Sequence, residues 1–391
     1  MENRKIVERD GMDQISNLSD DVLVIILSLV PTEQAVTTSF LSKRWKFLWN
    51  LLPELDFDYV SFCKSFGIVF EGNKKERFRG FLEFVDYVFT HHQVEHLQRL
   101  RFAFDIDRRK NYATDKNYAS EVRRLVRVAM RRNCLTLELQ FSNPATVSYP
   151  TYHGMRSLPP CISFPHRSFK YEGASCYLSI NNAENLIEVE IQMVFNKPNE
   201  HMFLFKLLNN LSNVEVLKLG FRYLEVLDTN GGRSMLTPLC NLKHLSLKLL
   251  RLEREVLTFM CLLRNSPYLE TLSIDLHSGN EDLEDMLLSV YSDGICTVME
   301  PLLLPSDCVM HLTKIEIKNF QGSKVEMEFV KIMLQSSLCL KEMVICISSR
   351  YEYLKQRLKQ LGEFLHKKKN AAVENILACT CASPNAQILI K

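Results

Sequence analysis

What the chain has little of narrows its possible functions. The glycine-rich phosphate loop, the GxSxG nucleophile turn and the HExxH zinc motif are all missing from the sequence. Charge of one sign is not in excess, since 48 basic and 46 acidic residues give a net charge of +2. Such a balance gives no general reason to bind nucleic acid or a membrane surface. An enzyme is therefore the least favoured class of function.

Long apolar segments are missing too. The longest apolar run, at 22–30, is far shorter than the roughly 20 residues that span a bilayer. The first residues, MENRKIVERDGMD, are charged and lack the apolar centre of a signal peptide. We therefore expect a disordered tail over residues 1–13, no membrane partner, and a location inside the cell, in the nucleus and/or the cytoplasm.

Metal-binding signatures are weak. The 12 cysteines are scattered and form no CxxC pair, and inside a cell buried free thiols are the default. A histidine cluster, His91, His92 and His96, has no companion ligand pair, which favours a solvated helix end. We expect no metal, no cofactor and no catalytic residue.

The only two tryptophans, Trp45 and Trp49, lie four residues apart in LSKRWKFLWN. The pattern around them predicts three short helices, capped in turn by Ser19, Thr32 and Ser42, with both tryptophans on one face of the third. The first helix is apolar on nearly all sides, which is typical of a helix buried on most faces. So small a unit cannot supply that burial alone. Part of its surface must therefore meet another domain or another chain.

Residues 14–57 resemble an F-box of the plant type. The resemblance is carried by ordered leucines, an acidic pair, a proline and both tryptophans: Leu18, Asp20, Asp21, Leu23, Ile26, Leu27, Pro31, Ala35, Leu41 to Trp45, Leu48, Trp49, Pro53, Leu55, Asp56 and Phe57. F-boxes dock on a Skp-type adaptor, which links them to a cullin-based ubiquitin ligase. The resemblance implies an adaptor-binding surface made of Leu18, Ser19, Leu23, Ile26, Leu27, Val30, Pro31, Leu41 and Trp45.

Two positions depart from the F-box pattern. The family usually has proline where this chain has Ser19, and often has histidine where it has Ile25. A proline would supply a rigid apolar contact and a preset backbone angle. The departure at Ser19 therefore bears on adaptor affinity more than on folding.

A pattern of Leu, two residues, Leu, one residue, Leu recurs along the chain. Copies begin at 185, 213, 241 and 268, separated by 28, 28 and 27 residues, and again at 311 and 339. Further copies begin at 96 and 133. This period is typical of leucine-rich repeats, in which each unit gives one strand and one return segment and units stack into a solenoid. We therefore predict such a solenoid.

The repeats are degenerate. The slot that usually holds a buried asparagine or cysteine is filled by Arg222, Leu250, His277 and Phe320, so we expect the polar ladder to be mostly missing. The proline-containing stretch 142–180 is interpreted as an insertion. Outward strand residues are the natural binding surface of this architecture, although each one is also explained as a solvated side chain. The target-binding candidates are Glu215, Lys218, Lys243, Ser246, Glu270, Ser273, Lys314 and Glu316.

The C-terminal part carries a second resemblance. Residues 304–345 are similar to the FBD region that follows F-box and leucine-rich repeats in many plant proteins, and the tail CASPNAQILIK resembles the closing strand of that region. The matching residues are Leu304, Pro305, Cys308, Leu312, Ile317, Phe320, Gly322, Glu326, Glu328, Val330, Leu340, Lys341 and Met343.

These patterns predict an α/β protein: an F-box at 14–58, degenerate leucine-rich repeats at 59–300, and an FBD domain at 301–391 that continues the solenoid. The predicted function is a non-catalytic receptor subunit of a Skp-cullin-F-box ubiquitin ligase that binds an unidentified target protein.

Three alternatives stay open. The first is an interaction scaffold that does not engage the adaptor, and the second is a receptor that senses a small molecule. The third is nucleic-acid binding through EVRRLVRVAMRRN (121–133), although such a pattern usually means a solvated outer helix and we predict no nucleic-acid partner.

Overall fold

The computed structural model describes residues 15, 17–66, 74–105, 116–132, 134–142, 166–174, 183–194, 207–222, 237–249, 259–276, 309–348 and 370–391. They form a mixed α/β protein with N-terminal helices and parallel strands. The residues fall into two compact units. The first runs to Asp105 and includes Arg132–Cys134, and the second holds the remainder.

The first unit begins with helices. They are α1 (Asp20–Ser28), α2 (Thr32–Thr37) and two 3₁₀ helices, Thr38–Phe40 and Trp45–Leu51. The unit continues with β1 (Glu54–Asp58), α3 (Tyr59–Ser65), α4 (Lys74–His91) and β2 (Leu97–Asp105). Strands β1 and β2 pair in parallel, with Glu54 opposite Arg99.

The ends of the first two helices differ from the capping prediction. Ser19 is the N-cap residue of α1, but its side chain makes no capping hydrogen bond. Thr32 lies inside α2, and its hydroxyl accepts from the Asp56 N–H of β1 at 2.8 Å. The predicted N-cap position of Ser19 is confirmed without its hydrogen bond, whereas the prediction for Thr32 is wrong, because its hydroxyl ties α2 to a strand instead of to its own helix.

The third helix is a 3₁₀ helix and not an α-helix. Its N-cap residue is Arg44 and not the predicted Ser42, although the Trp45 N–H lies 3.5 Å from the Ser42 Oγ. In a 3₁₀ helix, side chains three residues apart eclipse, so positions four apart point in different directions. Accordingly Trp49 is buried whereas Trp45 is half-buried, and the prediction of a shared face is wrong.

Aromatic packing forms the core of the first unit. The Phe57 ring of β1 stacks on Phe102 of β2 with centroids 5.1 Å apart, and meets Phe89 of α4 edge-on at 5.4 Å. Trp49 packs against Tyr87 of α4 at 5.8 Å. The N-terminal helices are therefore anchored on the elements that follow them.

The second unit consists of strands with intervening helices. Its helices include α5 (Lys116–Arg131), α6 (Lys324–Ser336) and helical residues at 259–264 and 370–377. Its strands are β3 (Cys134–Ser142), β4 (Ser168–Ala174), β5 (Glu188–Val194), β6 (Val216–Arg222), β7 (His244–Leu249), β8 (Thr271–Leu276), β9 (Lys314–Phe320), β10 (Glu342–Ile347) and β11 (Gln387–Ile390). From β3 to β11 each strand pairs in parallel with the next one in the chain.

The strand register follows the sequence repeat. Glu188 lies opposite Val216, Val216 opposite His244, and His244 opposite Thr271, which is the spacing of the repeated pattern. Strand β4 was not predicted. It lies inside the stretch interpreted as an insertion, so that interpretation is wrong for 168–174, while 143–165 and 175–182 lie outside the described residues.

Side-chain amides connect successive turns before the strands. The Asn213 amide donates to the Glu184 carbonyl and the Asn241 amide to the Ser212 carbonyl, both at 3.0 Å. This ladder lies at the first residue of the repeat and not at the slot that holds Phe320. The prediction of a mostly missing ladder concerned the last slot of the repeat, whereas the side-chain amides that connect the turns stand at its first position.

The FBD-like residues shape the start of α6. The Ser323 hydroxyl accepts from the Glu326 N–H at 3.2 Å, and the Glu326 carboxylate accepts from the Ser323 N–H at 3.0 Å. Gly322 has a φ of 69°, and a Cβ there would stand 3.0 Å from the Ala372 Cβ. Gly322 and Glu326 therefore have structural reasons for their identities.

Candidate functional sites

An apolar stripe runs along the exposed side of α1. Leu23 and Leu27 turn inward and are almost fully buried. Positions that share the opposite side remain exposed, including Ile25 at 61% and Leu29 at 81%. A helix of a folded domain normally buries such a stripe against its own core. Here the buried and exposed sides of α1 are both apolar.

Further apolar side chains are exposed in the 3₁₀ segments. Phe40 is 90% exposed and Leu41 is 68% exposed, and Phe47 is exposed with the Lys46 ammonium 5.3 Å from its ring centroid. An apolar concentration of this kind marks an interaction surface. We call this set of residues the apolar face: Val22, Ile25, Ile26, Leu29, Val30, Phe40, Leu41 and Phe47.

Polar contacts fix the elements that carry the apolar face. The Arg44 guanidinium donates to the Asp20 carboxylate at 2.8 Å and to the Leu18 carbonyl, which joins the start of α1 to the segment before Trp45. Farther along, the Asn50 carbonyl accepts from the Gln93 N–H at 3.0 Å. The apolar face is therefore held by contacts within its own unit.

Two buried titratable groups lie behind these helices. Glu33 of α2 accepts hydrogen bonds from the hydroxyls of Ser61 and Ser65, and burial raises the pKa of its carboxyl above 4.5. His92 is buried, its Nε2 is 2.8 Å from the Leu52 carbonyl, and burial lowers the pKa of its imidazole. The interpretation of His92 as part of a solvated helix end is wrong, because the ring donates to the chain that follows the second 3₁₀ helix.

Ion pairs, most of them between neighbouring strands, lie along the outward face of the sheet from β3 to β10. Lys218 lies 2.6 Å from Glu188, and Lys314 lies 2.7 Å from Glu342. The hydrogen bond that the Lys314 ammonium donates to Glu342, followed by the charge of Glu342, raises the pKa of Lys314. Further pairs join neighbouring positions: Lys170 with Glu138 at 3.1 Å and Lys318 with Glu316 at 3.3 Å. Opposite charges on adjacent strands stabilise this register.

Two family models match the chain. Residues 15–56 match the F-box domain, and residues 303–345 match the FBD. The chain carries an F-box and an FBD. Neither matching model describes an enzyme family.

Curated relatives are proteins of Arabidopsis thaliana. An FBD-associated F-box protein is 35% identical over 149 residues, which is 38% of this chain and 32% of that protein. An F-box/LRR-repeat protein is 35% identical over 142 residues, 36% of this chain and 26% of that protein. An F-box/FBD/LRR-repeat protein is 53% identical over 62 residues, 16% of this chain and 14% of that protein. The matches thus span about a third or less of these relatives, and no solved structure matches the chain.

The predicted adaptor-binding residues of the F-box occupy different environments. Ser19, Ile26, Val30, Pro31 and Leu41 are exposed, whereas Leu18 and Trp45 are partly buried. Leu23 and Leu27 are buried and lie on the side of α1 that packs against its own unit. Sequence reasoning did not select five residues of the apolar face: Val22, Ile25, Leu29, Phe40 and Phe47. The signal for Leu29 was present, because the first helix had been found apolar on nearly all sides.

The predicted target-binding residues form a partial row on the outward face. Lys218, Ser246, Ser273 and Glu316 lie opposite one another on β6 to β9. The predicted lysines 218, 243 and 314 are all engaged in ion pairs, and Ser273 faces Glu316 at 3.4 Å. Sequence reasoning missed His244 and Lys248 on the same face of β7, although it selected Lys314, which lies in the same row as His244.

The basic helix that suggested nucleic acid is α5. Leu125, Val126 and Ala129 are buried, Arg124 pairs with Glu121 at 2.7 Å, and Arg127 and Arg131 are exposed. This is the arrangement of an outer helix that packs by its apolar side.

Other kinds of site find little support in the described part of the chain. No group of histidine, cysteine and carboxylate side chains there could hold a metal, and no helix there has the length and apolar character to cross a membrane. The eight cysteines in those residues are free, and burial raises the pKa of the Cys134 thiol to about 12. A cavity beside Gly322 and Ile376 has a volume of about 10 Å³, which is space for a water molecule and not for a signalling ligand.

Proposed function

We propose that this protein is the substrate-recognition subunit of a Skp-cullin-F-box ubiquitin ligase. In this proposal the apolar face of the F-box binds a Skp-type adaptor, and the adaptor connects the protein to a cullin. The second unit, as a leucine-rich-repeat solenoid that ends in the FBD, binds a target protein with its outward strand face. The protein is non-catalytic and acts in the nucleus and/or the cytoplasm.

The exposed apolar face is the observation that carries this proposal. Leu29 and Phe40 stay 81% and 90% exposed although the helices around them are packed and hydrogen-bonded. Covering apolar surface stabilises by about 25 cal/mol per Å² removed from water, so a partner that covers the face gains affinity from each side chain. The position of this face within the matched F-box makes an adaptor the partner that fits best.

The receptor would accelerate ubiquitin transfer by proximity. Holding a target near a ubiquitin-charged enzyme raises the effective concentration of its lysines and replaces a bimolecular encounter with one inside the assembly. No side chain of this chain needs to react in such a mechanism.

Adaptor capture by matched variants tests the proposal. Ile26→Asp places a charge in the apolar face, and we expect it to weaken capture of a purified plant Skp-type adaptor by roughly 30-fold or more, as for loss of a central interface residue. Leu377→Asp makes the same change at a residue that is 62% exposed outside the F-box, and it should leave capture unchanged. Circular dichroism checks that both variants are folded.

Two results would contradict the receptor proposal. One is a folded wild-type protein that captures no adaptor, which supports the scaffold alternative instead. The other is equal loss of capture by both variants, which shows that the effect is not specific to the apolar face.

A third variant, Ser19→Pro, introduces the residue that F-boxes usually have at this position. The φ of Ser19 is −66°, which suits proline, and we expect the variant to bind the adaptor more tightly.

A further inference from the structure

Strand β7 interrupts the ion pairs of the outward face. Leu245, Leu247 and Leu249 are buried, so His244, Ser246 and Lys248 point to the opposite side. Within the described residues, none of these three outward side chains has an ion-pair or hydrogen-bond partner. Of the described lysines on strands β4–β9, Lys248 alone lacks a carboxylate within 4 Å.

The neighbours of Lys248 show why it forms no ion pair within the described residues. On β8 the residue opposite is Asp275, whose carboxylate accepts from the Asn319 amide at 2.7 Å and is not within 4 Å of the Lys248 ammonium. On β6 the residue opposite is Gly220, which has no side chain. A Cβ placed on Gly220 would lie 3.5 Å from the Lys248 Cβ and 3.7 Å from its Cδ, so the lysine stem leans over this glycine. The ammonium group therefore extends toward a strand position that offers no anion.

The three outward side chains share one chemistry. An ammonium, a hydroxyl and an imidazole can all donate hydrogen bonds to an anion. They follow one another at every second residue of β7, about 7 Å apart, since a strand rises about 3.3 Å per residue. An extended peptide has the same two-residue period, so carboxylates at alternate positions would match this spacing.

We propose that the outward side chains of β7 receive an extended acidic segment of the target protein, with carboxylates directed at Lys248 and its neighbours. This inference rests on the proposed function, because it states the chemistry of the target that the receptor holds. Charge complementarity carries it. At the other described lysines of strands β4–β9 a ligand carboxylate would have to displace an existing Glu partner, whereas at Lys248 it would not.

Binding of model peptides to the full chain tests this inference. The probe is a fluorescein-labelled decapeptide of alternating Glu and Gly, compared by fluorescence anisotropy with the same peptide carrying Gln for Glu. We expect the Glu peptide to bind at least about fivefold more tightly at low salt, and to lose this advantage as salt rises to about 200 mM. Equal affinity for the two peptides would overturn the inference.

Two lysine variants locate the binding. Lys248→Met should weaken binding of the Glu peptide by about two- to fivefold, which is the range for an exposed ion pair. Lys314→Met removes a lysine that already has Glu342 as partner, so it should change binding less than twofold. Equal effects of the two variants, or tighter binding of single-stranded DNA than of the Glu peptide, would contradict an acidic-peptide site at β7.

The same proteins separate this inference from the adaptor proposal. Ile26→Asp should keep its affinity for the Glu peptide, and Lys248→Met should keep adaptor capture. If the wild-type protein captures no adaptor but still prefers the Glu peptide, the ligase proposal fails and the acidic-peptide site on β7 stands. If the wild-type protein captures the adaptor but shows no preference for the Glu peptide, the acidic-peptide site fails and the ligase proposal stands.

Discussion

Glu33 shows how a single buried side chain sets a pH dependence in the F-box unit. Its carboxyl is 1% exposed, and its hydrogen-bond partners Ser61 and Ser65 are neutral hydroxyls. Burial without a cation favours the protonated form, which is why the pKa is raised. The folded state therefore holds this proton at pH values where the unfolded chain has lost it.

We expect Glu33→Gln to remove this pH dependence. In the wild type the contribution of Glu33 to the free energy of unfolding is full below pH 4.5 and declines as the pH rises through the higher pKa of the folded state. The amide of the variant keeps an acceptor for Ser61 and does not titrate. Urea unfolding followed by tryptophan fluorescence, from pH 4.5 to pH 7.5, measures the difference between the two proteins.

The expected sign is that wild type loses stability relative to Glu33→Gln as the pH rises. His92 contributes in the opposite direction below pH 6.5, because its lowered pKa makes the folded state resist protonation, but it is present in both proteins and cancels from the difference. Parallel pH profiles of the two proteins would show that Glu33 is not buried as described.

Some residue-level features could be predicted from the sequence and others could not. The acidic first turn of α1 and the need for an outside partner follow from composition and size. The hydrogen bond of Thr32 could not be predicted, since its hydroxyl accepts from the backbone N–H of Asp56, 24 residues away. The burial of His92 likewise depends on Leu52, which is distant in sequence. Contacts of this range are set by tertiary packing and leave no local pattern.

At the scale of elements, strand positions were more predictable than helix types. Alternating leucines and a fixed period specify β5 to β8 and their register, because a slip by one residue would expose every buried leucine. Strand β4, SFKYEGA, has no leucine and falls outside that pattern. The 3₁₀ segment Trp45–Leu51 contacts both α1 and α4, and its own sequence does not express these tertiary contacts.

The turn before α6 gives an element-scale prediction. Gly322→Ala should lower the free energy of unfolding by about 1–2 kcal/mol, since an L-residue with a φ of 69° is strained, and the new Cβ also presses on Ala372. Circular dichroism during urea unfolding measures the loss. The matched control is Gly80→Ala inside α4, where a Cβ meets nothing within 4 Å and should stabilise by about 0.5–1 kcal/mol.

The two glycine-to-alanine substitutions are expected to change the free energy of unfolding in opposite directions, because the environments of Gly322 and Gly80 differ. If Gly322→Ala were neutral, the backbone at 322 would not be held in the left-handed region. If Gly80→Ala were destabilising, the side of α4 at that position would be covered.

At the scale of the whole molecule, the two units divide the proposed work. The first exposes an apolar face with no partner in its own unit, and the second exposes a strand face on which charges are mostly paired internally. Apolar surface provides affinity, whereas a polar surface on which Lys248 stands outside the ion pairs of the other described strand lysines provides selectivity. The F-box and the period of the parallel strands could be predicted from sequence, but the break in the ion pairs at β7 could not, because it depends on where each lysine side chain leans.

Hydrogen exchange of the full chain, with and without a Skp-type adaptor, tests the central claim most directly. We expect the adaptor to slow exchange of backbone amides in α1 and in the 3₁₀ helices Thr38–Phe40 and Trp45–Leu51, because covering the apolar face suppresses local opening there. Exchange in β7 should stay unchanged. Failure to form a complex, or slowing confined to strands of the second unit, would contradict an F-box that docks its adaptor through the apolar face.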